Sequence, residues 1–143
     1  MHILLCNDDG YQALGIQTLA HVLASHGHKI TIVAPHDERS GQSHAMTFFL
    51  PVFVRQIQEN MWSVQGTPAD CAAIALRDLL TNNLPDLVIS GINHGFNLGM
   101  DVNYSGTVGA ATEASLMGFK AMAVSTDLSH TEGSTQAQRG KPR

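Results

Sequence analysis

The segment HILLCNDDG, residues 2–10, begins as a short apolar run and ends in two aspartates followed by a glycine. The run has the length and composition of a buried β-strand. Asp8 and Asp9 stand where this strand should end and the chain should turn. In an open α/β sheet, ligands bind outside the carboxyl ends of the strands. The acidic doublet is therefore either an ordinary Asp-Gly turn or part of a metal site. A metal site requires further ligands from other parts of the sequence at the same edge of the sheet.

The sequence that follows this segment alternates between helix and strand patterns. Apolar residues recur at helical spacing from Ile16 to Ala24, and Gly27 is a natural residue to end that helix. Residues 29–34 are β-branched and apolar, and they predict a second buried strand. The two strands and the helix form a right-handed βαβ unit with a parallel strand pair. The predicted fold class is therefore α/β with a mostly parallel sheet.

The same patterns continue along the chain and predict a small β-hairpin beside the main sheet, two more helices and two more buried strands. The hairpin is assigned to residues 48–54 and 61–65, the helices to 68–80 and 108–116, and the strands to 86–90 and 120–125. Thr67, Pro68 and Asp70 are typical of a helix start, as the N-cap, the first helical residue and a first-turn acid. A Gly/Asn-rich loop is expected between Gly91 and the last helix.

The strand and helix patterns fail after Thr126. Residues 129–143 hold one alanine and no larger apolar residue. Such a segment cannot bury enough apolar surface to offset the entropy of ordering it. We therefore predict one α/β domain, residues 1–126, and a disordered or non-native polar tail, residues 127–143.

The composition argues against several classes of protein. The chain has 143 residues, a formal net charge of −4 and only 14% charged residues. It lacks the basic surface that binds a nucleic-acid polymer. It also lacks the apolar run of roughly 18 residues that a membrane span needs. Two cysteines and no recognisable signal peptide favour a cytoplasmic protein with reduced thiols.

Three polar loops each follow a predicted parallel strand, at residues 7–10, 39–43 and 91–95. Because the carboxyl ends of parallel strands lie at one edge of a sheet, these loops should meet in one crevice. Their oxygen-bearing side chains suit a hard divalent cation such as Mg²⁺ or Mn²⁺ better than zinc. The candidate metal ligands are Asp8, Asp9, Ser40 and Asn93. This convergence favours the metal site over the plain turn.

A second candidate feature lies where the Gly/Asn-rich loop enters a helix. Free N–H groups and the positive end of the helix dipole favour a phosphate there, and hydroxyl groups add donors. The candidate phosphate-binding residues are Asn97, Ser105, Gly106 and Thr107, with Ser43 supporting the loop or the phosphate. A plain Ser/Thr helix cap explains the same hydroxyls, so this segment alone does not discriminate. A phosphate site beside a metal site indicates phosphoryl chemistry.

The histidines do not indicate a zinc site, because none shows a paired ligand spacing with cysteine. His44 and His94 belong to the converging loops. We regard these two as candidates for substrate contact or proton transfer.

Six motifs stand in order along the chain: NDDG from Asn7, ERSGQSH from Glu38, GTPADC from Gly66, SGIN from Ser90, NLG from Asn97 and YSGTVGA from Tyr104. Together they resemble the SurE family, the survival-protein nucleotidases. The resemblance implies a Rossmann-like three-layer fold. It also implies a metal-dependent phosphatase that acts on nucleoside 5′- and 3′-monophosphates, and sometimes on short polyphosphate. The family's metal ligands fall on the same four residues that the converging loops select.

Proteins of this family continue further, with a region used in oligomerisation. The resemblance therefore implies that this chain is C-terminally truncated, and that the intact protein is a homodimer or homotetramer.

The function we predict is hydrolysis of a nucleoside monophosphate by a metal-activated water, with Asp8 and Asp9 as the catalytic carboxylates. Asp9 is the first choice for deprotonating the water, and His94 is the second. The alternative is a non-catalytic nucleotide- or metal-binding remnant of such an enzyme. A Rossmann oxidoreductase is disfavoured, because the glycine fingerprint of dinucleotide binding is missing.

Overall fold

The computed structural model describes residues 1–127 and shows strands and helices in alternation. The strands are β1 (His2–Cys6), β2 (Lys29–Pro35), β3 (Val54–Gln58), β4 (Met61–Val64), β5 (Leu87–His94) and β6 (Ala121–Thr126), and the helices are α1 (Leu14–Ser25), α2 (Pro68–Ile74) and α3 (Gly106–Leu116). A π-helical turn, Ala75–Leu79, extends α2, and a 3-10 helix, Gly99–Asn103, precedes α3. The six strands form one sheet in the order β3-β4-β2-β1-β5-β6. Every neighbouring pair is parallel except β3 with β4.

Helices cover both faces of this sheet. Successive side chains of a strand point to opposite faces, and β1 shows this alternation clearly. Leu4 and Cys6 pack in the core under α2 and α3, whereas Ile3 and Leu5 pack with Ile16 of α1 on the other face. These layers confirm the predicted α/β fold with a mostly parallel sheet.

The hairpin is present, but its first strand lies later in the chain than predicted. We expected strands at residues 48–54 and 61–65, whereas the structure has them at Val54–Gln58 and Met61–Val64. The apolar stretch 48–53 precedes β3 and leaves large side chains exposed. Because β4 pairs in parallel with β2, the hairpin extends the main sheet and β3 becomes its edge. Apolar composition alone did not show which residues would find a strand partner.

β5 extends beyond its predicted end. We expected a strand over residues 86–90 and a loop from Gly91, but β5 runs from Leu87 to His94. Gly91 has a φ of 136°, and a Cβ at this position would fall within 3 Å of the Val124 carbonyl oxygen. The register with β6 shifts between Ser90 and Asn93. The glycine that predicted a loop therefore marks an irregularity inside the strand.

The predicted start of α2 at Thr67 is confirmed. Thr67 Oγ1 accepts a hydrogen bond from the Asp70 N–H at 3.1 Å, and the Asp70 carboxylate accepts from the Thr67 N–H at 2.9 Å. This is a reciprocal capping box. The buried Asp70 also accepts from the backbone N–H and the hydroxyl of Thr47, at 2.8 and 2.7 Å. The start of α2 therefore anchors the far end of the loop that follows β2.

The predicted polar tail, residues 127–143, lies outside the described residues from Leu128 onward. The proposed boundary after residue 126 thus stays a prediction. Among the helices within residues 1–127, none is both long enough and apolar enough to cross a membrane.

His2 should make the stability of this sheet depend on pH. Its side chain is buried at the start of β1, where Nε2 lies 2.9 Å from Thr31 Oγ1. Burial lowers the pKa of His2 below 6.5 and Lys29 lowers it further, against the opposing effect of two backbone carbonyls and Asp86. The unfolded chain therefore binds this proton at a higher pH than the folded protein does. The free energy of unfolding should fall as the pH drops through about 6.5.

We expect His2→Asn to reduce this loss of stability on acidification, because asparagine takes up no proton. Urea unfolding at pH 7.5 and pH 5.5 measures the difference for each variant. His21→Gln, an exposed position on α1, should behave like the wild type. A wild type and a His2→Asn variant with equal pH dependence would show that His2 is not responsible.

Candidate active site

Asp8 lies just past β1, and the start of α3 holds its carboxylate. The Thr107 hydroxyl donates to Asp8 Oδ1 at 2.6 Å, and the Thr107 N–H donates to Oδ2 at 3.3 Å. Both residues are buried. Gly106 permits this approach, because a Cβ there would stand 3.0 Å from the Asp8 Cβ and 2.8 Å from Pro68 Cγ. The helix N-terminus therefore orients a carboxylate of the protein itself.

Asp9 is the half-buried member of the doublet. Its Oδ2 accepts a hydrogen bond from the backbone N–H of His94 at 3.3 Å, which links the end of β1 to the end of β5. Burial raises the pKa of Asp9. The His94 N–H opposes this rise, whereas the carboxylates of Asp8 and Glu38 add to it. The end of β1 therefore gathers negative charge that a cation would neutralise.

Ser40 lies on the loop that follows β2, residues 36–47, which we call the Ser40 loop. The Arg39 N–H donates to the Asp8 carbonyl oxygen at 2.6 Å and brings the loop against the end of β1. The exposed Ser40 hydroxyl donates to Glu38 Oε1 at 2.8 Å. Sequence reasoning missed Glu38, although an acid two residues before a candidate ligand in a converging loop was a usable signal.

Asn93 enters from the extended part of β5. Its Nδ2 donates to the Gly95 carbonyl oxygen at 2.8 Å, so Oδ1 is the atom suited to bind a cation. Its neighbour His94 has an exposed side chain and uses its backbone N–H to hold Asp9. Two predicted site residues thus lie in a strand and not in the loop we expected.

The chemistry of this edge fits a hard divalent cation. The four candidate ligands offer carboxylate, hydroxyl and amide oxygens, the donors that Mg²⁺ and Mn²⁺ prefer. Within residues 1–127, no three His, Cys, Asp or Glu side chains are grouped so that they could hold a metal ion. A site here therefore depends on two carboxylates supplemented by the neutral oxygens of Ser40 and Asn93.

The helix that we predicted from Val108 begins earlier, at Gly106, with Ser105 as its N-cap. Ser105 Oγ accepts a hydrogen bond from the Val108 N–H at 3.1 Å. This is the plain capping role that competed with the phosphate interpretation. Since the Thr107 hydroxyl is bonded to Asp8, both hydroxyls of this segment have partners within the protein.

The remaining predicted substrate residues are tied to neighbouring elements. Asn97 Nδ2 donates to a serine hydroxyl on β6 at 2.7 Å. The Ser43 N–H donates to the carbonyl oxygen of Tyr104 at 2.9 Å. His44 Nε2 lies 2.8 Å from a carboxylate oxygen of Glu113 on α3. The structure thus fastens Ser43 and His44 to the α3 region, and Asn97 to β6.

We expect Thr107→Val to lower the affinity of the proposed metal site for a divalent ion, although valine has nearly the same shape as threonine. The substitution removes the hydroxyl that orients Asp8, so a bound divalent ion should lose affinity by roughly tenfold or more, as when other outer-shell partners are lost. Losing one buried hydrogen bond should also lower the free energy of unfolding by about 1–2 kcal/mol. Calorimetric titration with Mn²⁺ and urea unfolding measure the two effects.

Thr112→Val is the matched control, since Thr112 lies exposed on the same helix and its hydroxyl bonds only to the Val108 carbonyl. Equal Mn²⁺ affinity in the two variants would contradict a role of Thr107 in orienting Asp8.

The fold and the residues at the carboxyl edge of the sheet together define the class of this protein. It is a Rossmann-like α/β protein in which the ends of β1 and β5 and the Ser40 loop bring an acidic, oxygen-rich site to the carboxyl edge of the sheet.

Comparison with known proteins gives the family. The model of the family described as survival protein SurE matches residues 3–141, and the chain belongs to this family. It is similar to a 5′-nucleotidase SurE from Aliivibrio fischeri, 58% identical over 125 residues that cover 87% of this chain and 48% of that protein. A 5′-nucleotidase SurE from Pelobacter propionicus is 50% identical over 133 residues, which cover 93% and 53% of the two chains.

Among solved structures, the chain is similar to the SurE protein from Aquifex aeolicus. The TM-score is 0.83 at 44% sequence identity, and the match covers 87% of this chain and 50% of that one. The resemblance drawn from the six motifs is thus confirmed. The chain spans about half the length of the curated relatives it matches.

Proposed function

We propose that this chain carries the catalytic edge of a phosphomonoesterase that hydrolyses nucleoside 5′-monophosphates, and 3′-monophosphates as a second substrate class. The observation that carries the proposal is the Asp8-Asp9 pair, held at the carboxyl edge by Thr107 and the His94 N–H and met there by the Ser40 loop. Relatives at up to 58% identity bear the name 5′-nucleotidase. Intact assembly as a homodimer or homotetramer and action in the cytoplasm belong to the same proposal.

The proposed cofactor is one Mg²⁺ or Mn²⁺ ion, held by Asp8, Asp9, Ser40 and Asn93. When bound, such an ion supplies an activated water and neutralises phosphate charge. Asp9 is the proposed proton acceptor because it is accessible to water, whereas Asp8 is only 4% exposed. His94 is the second candidate, since its backbone N–H bonds to Asp9 and its side chain is exposed. We assign Asp8 to holding the ion.

The phosphate is proposed to bind beside the start of α3, where the helix dipole favours an anion. Gly106 keeps the backbone close to Asp8 there. The hydroxyl of the N-cap Ser105, which only accepts a hydrogen bond from the Val108 N–H, would add a donor, with Asn97 and Ser43 at the flanks. Thr107 donates its hydroxyl to Asp8 and would contribute by holding that carboxylate. Positioning and charge neutralisation supply most of the catalysis in phosphoryl transfer, so these residues need no covalent role.

The competing function is binding of a nucleotide or a metal without turnover. It needs only the oxygen-rich edge formed by Asp8, Asp9, Ser40 and Asn93 and no water positioned for attack.

Phosphate release from AMP, GMP and CMP, and from 3′-AMP, separates the two functions. We expect release with Mn²⁺ or Mg²⁺ and none with a chelator. Restoring Mn²⁺ after chelation should restore the rate. A folded protein that binds Mn²⁺ or AMP by calorimetry but releases no phosphate with either ion would leave binding without turnover as the correct function.

A further inference from the structure

Glu113 is a buried carboxylate that the proposed chemistry does not use. It lies on α3, where its side chain is only 10% exposed, and it meets the side chains of a histidine and an arginine. His44 Nε2 lies 2.8 Å from Oε2, and Arg77 lies 3.4 Å from Oε1. A carboxylate in such a place is stable only when paired and hydrogen-bonded. The shorter of its two contacts goes to the Ser40 loop.

The Ser40 loop is fastened to α3 at further points next to His44. Gly109 lies against the Ser43 carbonyl, because a Cβ on Gly109 would fall within 3 Å of that oxygen and 3.0 Å from the His44 Cα. The Ser43 N–H bonds to Tyr104 at 2.9 Å, and Ser43 has a φ of 53°, which a non-glycine residue rarely adopts. Neighbouring contacts must therefore hold this part of the loop in place.

Ser40 stands between two anchors. On one side, the Arg39 N–H bonds to the Asp8 carbonyl. On the other side, Ser43 and His44 bind to α3. The residues between them, Ser40 to Gln42, are largely exposed and have little packing of their own. The position of Ser40 is therefore set by these anchors.

Helix α3 contacts both the acidic doublet and the Ser40 loop. Thr107, in the first turn of α3, orients Asp8, and Glu113, further along the helix, holds the loop that carries Ser40. Because a helix is stiff over this length, α3 fixes the spacing between the acidic doublet and the loop.

We propose that Glu113 is a positioning residue which, through His44, sets the place of Ser40 and so the affinity of the edge for a divalent cation. The inference rests on the proposed metal site. His44 then acts through the loop and does not touch the substrate. Its effect must show when no substrate is present.

Mn²⁺ affinity without nucleotide, measured by electron paramagnetic resonance, tests this role in the full chain. We expect His44→Ala and Glu113→Ala each to weaken Mn²⁺ binding by roughly tenfold, the range found for outer-shell partners. The double variant should be no weaker than either single one, because both remove one interaction. His44→Gln, which keeps a hydrogen-bond donor, should recover most of the affinity.

Arg77→Ala is the matched control. It removes the other partner of the same carboxylate, and its hydrogen bond goes to Glu113 and not to the Ser40 loop, so Mn²⁺ affinity should stay within twofold of the wild type. If Glu113→Ala fails to fold, the His44 variants decide alone, since His44 lies on a partly exposed loop. Circular dichroism of each variant shows whether it is folded.

These measurements distinguish a failure of the positioning role from a failure of the proposed metal site. A wild type that binds Mn²⁺ and releases phosphate, with His44→Ala binding Mn²⁺ equally well, overturns the positioning role and leaves the proposed function standing. Equal loss in His44→Ala and Arg77→Ala also overturns it, because the effect is then one of general stability. A wild type that binds no Mn²⁺ overturns the metal site and this inference together.

Discussion

Replacing Asp9 with asparagine should lower kcat/KM for AMP by roughly 1,000-fold or more, the scale of loss when a catalytic carboxylate is neutralised. Asparagine keeps the shape of the side chain and can still accept the hydrogen bond from the His94 N–H. It loses the negative charge that would bind a cation and the basic oxygen that would take a proton from water. The fold should persist, since Asp9 is only half-buried and belongs to no core cluster.

The measurement is phosphate release at saturating Mn²⁺, together with a Mn²⁺ titration of each variant. Asp37→Asn is the control, because Asp37 is an exposed acid in the Ser40 loop and not a candidate ligand. It should keep the wild-type rate. An Asp9→Asn variant that retains more than a tenth of the activity would remove Asp9 from the mechanism.

Replacing Gly15 with alanine should destabilise the protein by about 3 kcal/mol, at the upper end of the cost of overpacking. Gly15 lies in the first turn of α1, where a Cβ would fall within 3 Å of the Ile92 carbonyl oxygen and 3.1 Å from the Ile92 carbonyl carbon. Both atoms are backbone, so no side chain can rotate away. The helix or the end of β5 has to move.

A thermal melt should show the change as a fall in Tm on the order of 10 °C for a chain of this size. Because Ile92 directly precedes Asn93, Mn²⁺ binding should weaken as well. Thr18→Ala, on the exposed side of the same helix, should leave both quantities near the wild type. A Gly15→Ala variant that melts within 2 °C of the wild type would show that α1 and β5 are not packed this closely.

Local patterns predicted the first half of the fold well. β1 matches its prediction, and α1 and β2 agree closely with theirs. Strand and helix periodicity and the glycine that ends a helix are all local signals. The capping box at Thr67 is equally local, since its partners are three residues apart. The hairpin and β5 were misplaced because a strand needs a partner, and partners are distant in sequence.

The candidate site was only partly visible in the sequence. Because the carboxyl ends of parallel strands share one edge, the loops after the predicted strands were enough to select Asp8, Asp9 and the Ser40 loop as neighbours. Glu38 was overlooked although it lies in the same loop. His44 stays a predicted candidate for substrate contact or proton transfer, and no local pattern predicted its contact with Glu113, which is 69 residues away.

By itself, the sequence determined the α/β class, the family and the location of the acidic doublet, since periodicity, caps and motifs are properties of neighbouring residues. Only the tertiary structure decided how these carboxylates are held. Thr107 reaches Asp8 across 99 residues and the His94 N–H reaches Asp9 across 85. Such bonds exist only when sheet and helices have brought the groups within about 3 Å, and no local pattern records that approach.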